Sequence, residues 1–214
     1  MRGLPALHEF DGRENDNEYT QAIHAGIMNR EHEDGYSLRQ KLVSRFAWAI
    51  PTNSAINGIA AKLASMKVKT LVSIGAGTGY WESLISKSPY KPSNCAVVAY
   101  DLNPPIGDEK CNPYRHVQQF MCVDPGGPEK AAEHGEDSAL FLSWPPYDDP
   151  MAAECLKNFV GKMVVFVGEG RGGCTGDDKF HTILKERWKE VAWVDIPRWY
   201  GINDYVNVYV RRGA

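Results

Sequence analysis

The sequence predicts an α/β protein: a three-layer α/β/α sandwich on a mostly parallel sheet, preceded by a helical extension. Three observations predict it. Short apolar runs recur from residue 70 onward, and such runs suit strands buried on both faces of a parallel sheet. Stretches of helical spacing separate the runs, and that alternation implies right-handed crossovers with helices covering the sheet. The chain before residue 51 shows helical spacing instead and is rich in acids up to residue 34. We therefore read residues 1–50 as an acidic, partly helical extension and residues 51–214 as one ligand-binding domain.

The elements follow in order. Residues 8–34 hold eight acidic residues against two arginines, the composition of a solvated arm or surface helix. A lid over a ligand site is the other reading. Over residues 36–49, Leu38, Leu42, Val43, Phe46 and Ala49 recur at helical spacing. Pro51 interrupts them, and Thr52 or Ser54 can cap a second helix through Ile56, Ile59, Ala60 and Leu63. Strands are expected over residues 70–74, 96–100, 117–123, 139–142 and 163–167, and helices over 80–87, 129–134, 149–160 and 178–188. Two further strands, 191–196 and 205–210, are joined by a loop with Pro197, Gly201 and Asn203. No helix fits between them, so the loop permits an antiparallel final pair.

The chain has 214 residues, with 24 Lys and Arg against 27 Asp and Glu. That balance argues against a protein that coats nucleic acid or an anionic membrane, because those surfaces need a cationic excess. Much of the acid lies before residue 35, and the remainder carries 21 basic against 19 acidic residues. A nucleic-acid substrate thus stays open, with a small molecule favoured. The five cysteines, Cys95, Cys111, Cys122, Cys155 and Cys174, form no CxxC and no paired Cys/His spacing. They read as reduced thiols in a cytoplasmic protein without a metal site. No apolar run approaches the ~20 residues that span a bilayer, and residues 1–10 lack the core of a signal peptide. The oligomeric state is left open.

The strongest local signal is Val72-Ser73-Ile74-Gly75-Ala76-Gly77-Thr78-Gly79-Tyr80-Trp81-Glu82. A buried strand runs into glycines and then a helix. Glycine permits unusual φ values at a sharp turn and lets a ligand approach the backbone. Free N–H groups at a helix start can meet a polar or anionic group. A dinucleotide fingerprint reads GxGxxG, but here Tyr80 stands where its last glycine belongs. No Lys-Ser/Thr follows to make a phosphate loop. At the end of the next strand, Asp101 is placed to accept hydrogen bonds from both hydroxyls of a ribose. Its other reading is a helix cap or loop acid, and Asn103 either shares the role or makes a turn.

These segments resemble the cofactor half of the class I S-adenosylmethionine-dependent methyltransferases. The resemblance covers about residues 55–212 as an ordered series of strands and is motif-specific at Gly75 to Gly79 and Asp101. It implies a seven-stranded sheet whose last strand is antiparallel, with S-adenosylmethionine as cofactor. It further implies that Gly75, Ala76, Gly77, Thr78 and Gly79 line the cofactor. Asp101 would hold the ribose, Leu102 would lie beside the adenine, and Val123 and Asp124 would flank it. Ser143, at the end of the fourth strand, completes the implied cofactor set.

Two later loops leave the same edge of the sheet. Leu142-Ser143-Trp144-Pro145-Pro146-Tyr147 resembles the Asp/Asn/Ser-Pro-Pro-Tyr/Phe motif of methyltransferases that modify exocyclic or amide nitrogen. Two prolines fix the backbone so that a carbonyl can accept from an NH2 group, and an aromatic ring stacks on a planar substrate. Here Trp144 occupies the polar first position, and an indole accepts no hydrogen bond. Trp144, Pro145, Pro146 and Tyr147 therefore either bind a planar, nucleobase-like or small nitrogenous substrate or simply wall the pocket. The loop at residues 168–176 holds five glycines. It reads as a mobile lid with Glu169 or Arg171 facing substrate, or as a surface crossover.

The expected activity is methyl transfer from S-adenosylmethionine, with Tyr147 or Glu169 as base if one is used. Positioning and desolvation carry most of such a reaction, because the cofactor supplies the electrophile. The rivals are a catalytically inactive binding or scaffold subunit of the same fold and an NAD-dependent oxidoreductase.

Overall fold

The structure is a computed structural model and describes residues 17–28, 35–105 and 119–213. Expectations for the rest, including most of the acidic arm, Cys111 and the first two residues of the third predicted strand, fall outside the described residues.

The predicted buried runs form the sheet centre. β1 (Thr70–Ile74) pairs in parallel with β2 (Ala96–Asp101) on one side and β4 (Ser138–Ser143) on the other. β5 (Met163–Gly168) extends the sheet beyond β4, also in parallel. β6 (Trp188–Asp195) and β7 (Tyr205–Arg211) form the terminal antiparallel pair, with β7 inserted between β5 and β6 and antiparallel to both. With the short edge strand β3 (Asp124–Pro125), the strand order is β3-β2-β1-β4-β5-β7-β6. This is a seven-stranded, mostly parallel sheet with one antiparallel strand, as the resemblance implied.

Alternate residues of each strand point to opposite faces, so every central strand feeds two cores. Leu71, Phe141 and Val165 pack with Ile59 and Leu63 of α3 (Asn53–Ser65) and Trp81 of α4 (Tyr80–Lys87). Their chain neighbours Val72, Leu140 and Val164 pack on the other face with Leu156 of α5 (Met151–Asn158) and Phe180 of α6 (Asp178–Arg187). The Thr52 hydroxyl accepts from the Ala55 N–H at 3.1 Å and caps α3, one of the two caps expected.

Three elements differ from expectation. β3 is only Asp124–Pro125, and residues 119–123 are not strand. Phe120 turns instead against Tyr80 and Phe46, and its N–H bonds the Thr78 carbonyl. An edge strand beginning at Asp124 keeps Pro125 where no second neighbour needs its missing N–H. The predicted helix at 129–134 is a 3-10 turn, Pro128–Glu133. β6 starts at Trp188, directly after α6, and carries a register shift between Glu190 and Ala192.

A third core lies off the end of the sheet. In α1 (Glu18–Met28), Tyr19 and Ile23 are fully buried. They pack with Leu42 and Val43 of α2 (Gly35–Arg45), with Phe46 and Ile50 after it, and with Tyr80 and Trp199. The described part of the extension is thus docked through an apolar face and not merely solvated.

Candidate functional site

The loop after β1 folds tightly because its glycines allow it. Gly75, Gly77 and Gly79 have φ of 76°, 55° and 72°, values that side chains with a Cβ seldom adopt. The Gly75 and Ala76 N–H groups both donate to the Tyr100 carbonyl, at 2.8 and 3.0 Å. That bond pair ties the loop to the end of β2, where Asp101 follows. The Gly77 N–H then donates to Asp101 Oδ2 at 2.9 Å, and the Asn103 N–H donates to Oδ1 at 2.8 Å. Each carboxylate oxygen retains acceptor capacity beyond these bonds.

Glu82 lies in the first turn of α4 and is 1% exposed. Its Oε1 accepts from the Ser73 hydroxyl at 2.6 Å, while its Oε2 has no hydrogen-bond partner. Burial pushes the carboxyl up to about 7; the Ser73 bond opposes this, and the nearby negative charge of Asp101 adds to it.

These groups open into a cavity of about 470 Å³, within the usual range for small-ligand sites. Its lining combines Ile74 to Thr78, Glu82, Asp101, Leu102 and Gly127 with Gln40, Ser44, Phe46 and Trp48 of the extension and Ser143, Trp144 and Pro146 after β4. A Cβ on Gly77 would meet nothing within 4 Å, so open space faces the loop there.

Trp144 sets the far wall. Its φ of 53° is in the left-handed region, an outlier for a bulky residue and more so before a proline. Three contacts hold it. Its backbone N–H donates to the Val167 carbonyl at 2.8 Å. Its indole N–H lies 2.9 and 2.8 Å from the two oxygens of Asp204. Its ring stacks on Trp48 at 4.9 Å with 12° between planes. The Arg39 guanidinium sits 5.7 Å from the Trp48 ring. Asp204 is 1% exposed, and burial pushes it up to about 7. The Trp144 bond lowers it, Glu169 raises it, and Arg39 and Arg198 lower it.

The wall from the extension is stapled to the glycine loop. The Thr78 hydroxyl donates to the Phe46 carbonyl, and the Trp81 indole to the Ala49 carbonyl at 3.1 Å. The Tyr80 hydroxyl accepts from the Tyr19 N–H at 3.1 Å.

Of the predicted site residues, Gly75, Ala76, Gly77, Thr78, Asp101, Leu102, Ser143, Trp144 and Pro146 line the cavity together. Others stand elsewhere. Gly79 backs onto Met121 and Val123, which a Cβ would approach to 2.8 and 3.1 Å. Asp124 is exposed. Pro145 is buried and its carbonyl accepts from the Gly176 N–H. Tyr147 is 69% exposed and lies outside the lining. Arg171 pairs with Asp178 at 3.1 Å on the surface. Glu169 is buried, but its oxygens take the Cys174 and Asn203 N–H groups at 2.6 and 2.7 Å. It braces two loops and does not face the cavity. His134 and His181 are absent from the lining.

Glu82, Trp48, Gln40 and Ser44 line the cavity without having been foreseen. Only Glu82 carried a signal: an acid directly after Tyr80 and Trp81, in an otherwise apolar first turn. Among the described residues, no three His, Cys, Asp or Glu side chains gather as a metal site, and no helix is long and apolar enough to cross a membrane.

No family model matches the chain, and no curated protein matches its sequence. Solved structures of similar fold include methyltransferases of varied kinds. The magnesium protoporphyrin IX methyltransferase from Synechocystis is 9% identical with a TM-score of 0.48, covering 92% of this chain and 93% of that one. A methyltransferase from Geobacter sulfurreducens is 14% identical at 0.48, covering 89% and 96%. A tRNA methyltransferase from Aquifex aeolicus is 13% identical at 0.46, covering 78% and 71%.

Proposed function

We propose that the protein transfers a methyl group from S-adenosylmethionine to a planar acceptor, a small molecule or nucleobase-like group. The observation that carries this is the Asp101 carboxylate, bonded to the Gly77 N–H and aimed along a glycine-lined cavity. A carboxylate so held accepts from both hydroxyls of a ribose, while Leu102 and Gly127 offer a flat apolar seat for adenine. The unpartnered Glu82 oxygen in the same wall suits a ligand that brings a donor.

When bound, the cofactor supplies an electrophilic methyl on a sulfonium sulfur and leaves as a thioether. The protein's residues do the rest. Residues 51–214 hold the cofactor end, and the first 50 residues supply part of the acceptor wall. Trp48 and Trp144 present an aromatic surface on which a planar acceptor stacks, and Gln40, Ser44 and Ser143 offer polar contacts. Phe46 and Trp81 keep water from the reacting atoms. No side chain of the lining is needed as a base when the acceptor attacks through its own lone pair.

Calorimetric titration with S-adenosylmethionine and S-adenosylhomocysteine tests the reading. Binding of both, with Asp101→Ala weakening both by ~10–100-fold, is expected, since hydrogen bonds to a charged group contribute about 1.5–3 kcal/mol. Absence of binding at millimolar nucleoside, or binding of NADH in preference, overturns it.

A further inference from the structure

Asp204 stands behind the acceptor wall without reaching the cavity. It is 1% exposed and absent from the lining, whereas Trp144 is part of it. The single indole N–H of Trp144 is shared between the two Asp204 oxygens, at 2.9 and 2.8 Å. Trp144 needs such a partner. Its φ of 53° lies in the left-handed region, and Pro145 follows it. That combination is disfavoured for a bulky residue and persists only where the surroundings over-determine it.

The end of β5 fixes both partners. The Val167 carbonyl takes the Trp144 backbone N–H, and Glu169 takes the N–H of Asn203, the residue just before Asp204. Acid and indole are thus anchored separately at one strand end, and the bond between them decides where the ring lies. The ring itself stacks on Trp48 of the extension, with Arg39 over Trp48. The groups around Asp204 come from every neighbouring segment. Glu169 opposes its ionisation, while Arg39 of α2 and Arg198 of the loop between β6 and β7 favour it. Tyr19 of α1 and Cys174 sense the same acid, but burial pushes both up, so neither is charged near neutral pH. An ionised acceptor makes a bond roughly twice as strong as a neutral one, so the proton on Asp204 changes the grip on the indole.

We propose that Asp204 is a positioning residue for the acceptor wall: its ionised carboxylate holds the Trp144 indole against Trp48, and its protonation loosens that ring without disturbing the cofactor end. The proposal rests on the methyl-transfer reading, in which Trp144 faces the acceptor. Asp204 itself touches neither ligand and takes no part in the transfer step.

The test reads the indole N–H directly. The full chain has six tryptophans, and the signal lost from its nitrogen–proton correlation spectrum in Trp144→Phe is that of Trp144. In the unaltered protein this signal is expected to shift in one step as pH passes through neutrality. Asp204→Asn keeps an oxygen acceptor but cannot titrate, so it should abolish the step while the N–H stays protected from solvent exchange. Asp204→Ala should speed that exchange about tenfold or more, the loss of one bond to a charged group. Calorimetry should find the affinity for S-adenosylhomocysteine nearly unchanged in both variants. If Asp204→Ala does not fold, the lost pH step in Asp204→Asn decides. A step that survives in Asp204→Asn, or exchange unaltered in Asp204→Ala, overturns the assignment. An affinity that falls along with the protection also overturns it, because Asp204 would then brace the whole cavity. Failure of the unaltered protein to bind S-adenosylhomocysteine overturns the cofactor reading and, with it, the wall's link to an acceptor, whatever the Trp144 signal shows.

Discussion

Glu82 and Asp204 are buried carboxyls that burial pushes up to about 7. In the unfolded chain such groups release their protons near pH 4. Between about pH 4 and pH 7 the folded state therefore binds more protons than the unfolded one, and stability falls as pH rises through that window. The His134 imidazole, which burial pushes down, acts with opposite sign below its ordinary range, so each variant is best compared with the parent at each pH. Glu82→Gln and Asp204→Asn should melt with the parent near pH 5 and above it near pH 8. A difference that does not grow with pH would show that the folded carboxyls titrate in the ordinary range. Trp144 depends on the same acid. Trp144→Phe keeps a ring on Trp48 but leaves Asp204 without its donor, so chemical denaturation should show a loss of about 1–3 kcal/mol at pH 8.

At the level of elements, the glycine loop separates folding from binding. Gly77 has positive φ but open space around a Cβ, and Gly79 has positive φ with Met121 and Val123 in the way. Gly77→Ala should cost about 1–2 kcal/mol of stability and weaken nucleoside binding, because the methyl enters the cavity. Gly79→Ala should cost more stability, measured by denaturation, and weaken binding less per kcal/mol lost. This loop was legible in the sequence, as were β1, β4 and β5, because continuous apolar runs bounded by glycine or serine allow few other folds. β3 was not, since an edge strand of two residues has no pattern to read. The local motif also hid a second role. Thr78, Tyr80 and Trp81 stand in the glycine-loop signature, yet their side chains bind the extension: Thr78 and Trp81 donate to carbonyls 32 positions upstream, and Tyr80 accepts from an N–H 61 positions upstream. In the same way, Trp144 reads as a departure from a polar motif. The acid that answers it, Asp204, lies 60 positions downstream, where no spacing rule points.

For the whole molecule, the extension and the sheet form one packed body around the cavity among the described residues. Phe46 is fully buried between Tyr19, Tyr80 and Phe120, and Phe46→Ala should cost about 3–5 kcal/mol. Removing residues 1–50 takes away Gln40, Phe46 and Trp48 from the cavity and uncovers Tyr80 and Trp199. The shortened chain should aggregate more readily and lose nucleoside affinity even with the glycine loop and Asp101 intact. Retained affinity would show that the cofactor end is self-sufficient. The docking also imposes an order of assembly. Tyr19 receives the indole N–H of Trp199 across 180 positions of chain, and contacts of such separation close late and slowly. During synthesis α1 can pack on α2 and Phe46 early, but Tyr80 and Trp199 complete its apolar seat only when α4 and the loop between β6 and β7 exist. The seat of the extension is thus completed last, and a product truncated before Trp199 would carry the binding motif and the enclosing residues but lack the indole that buries Tyr19.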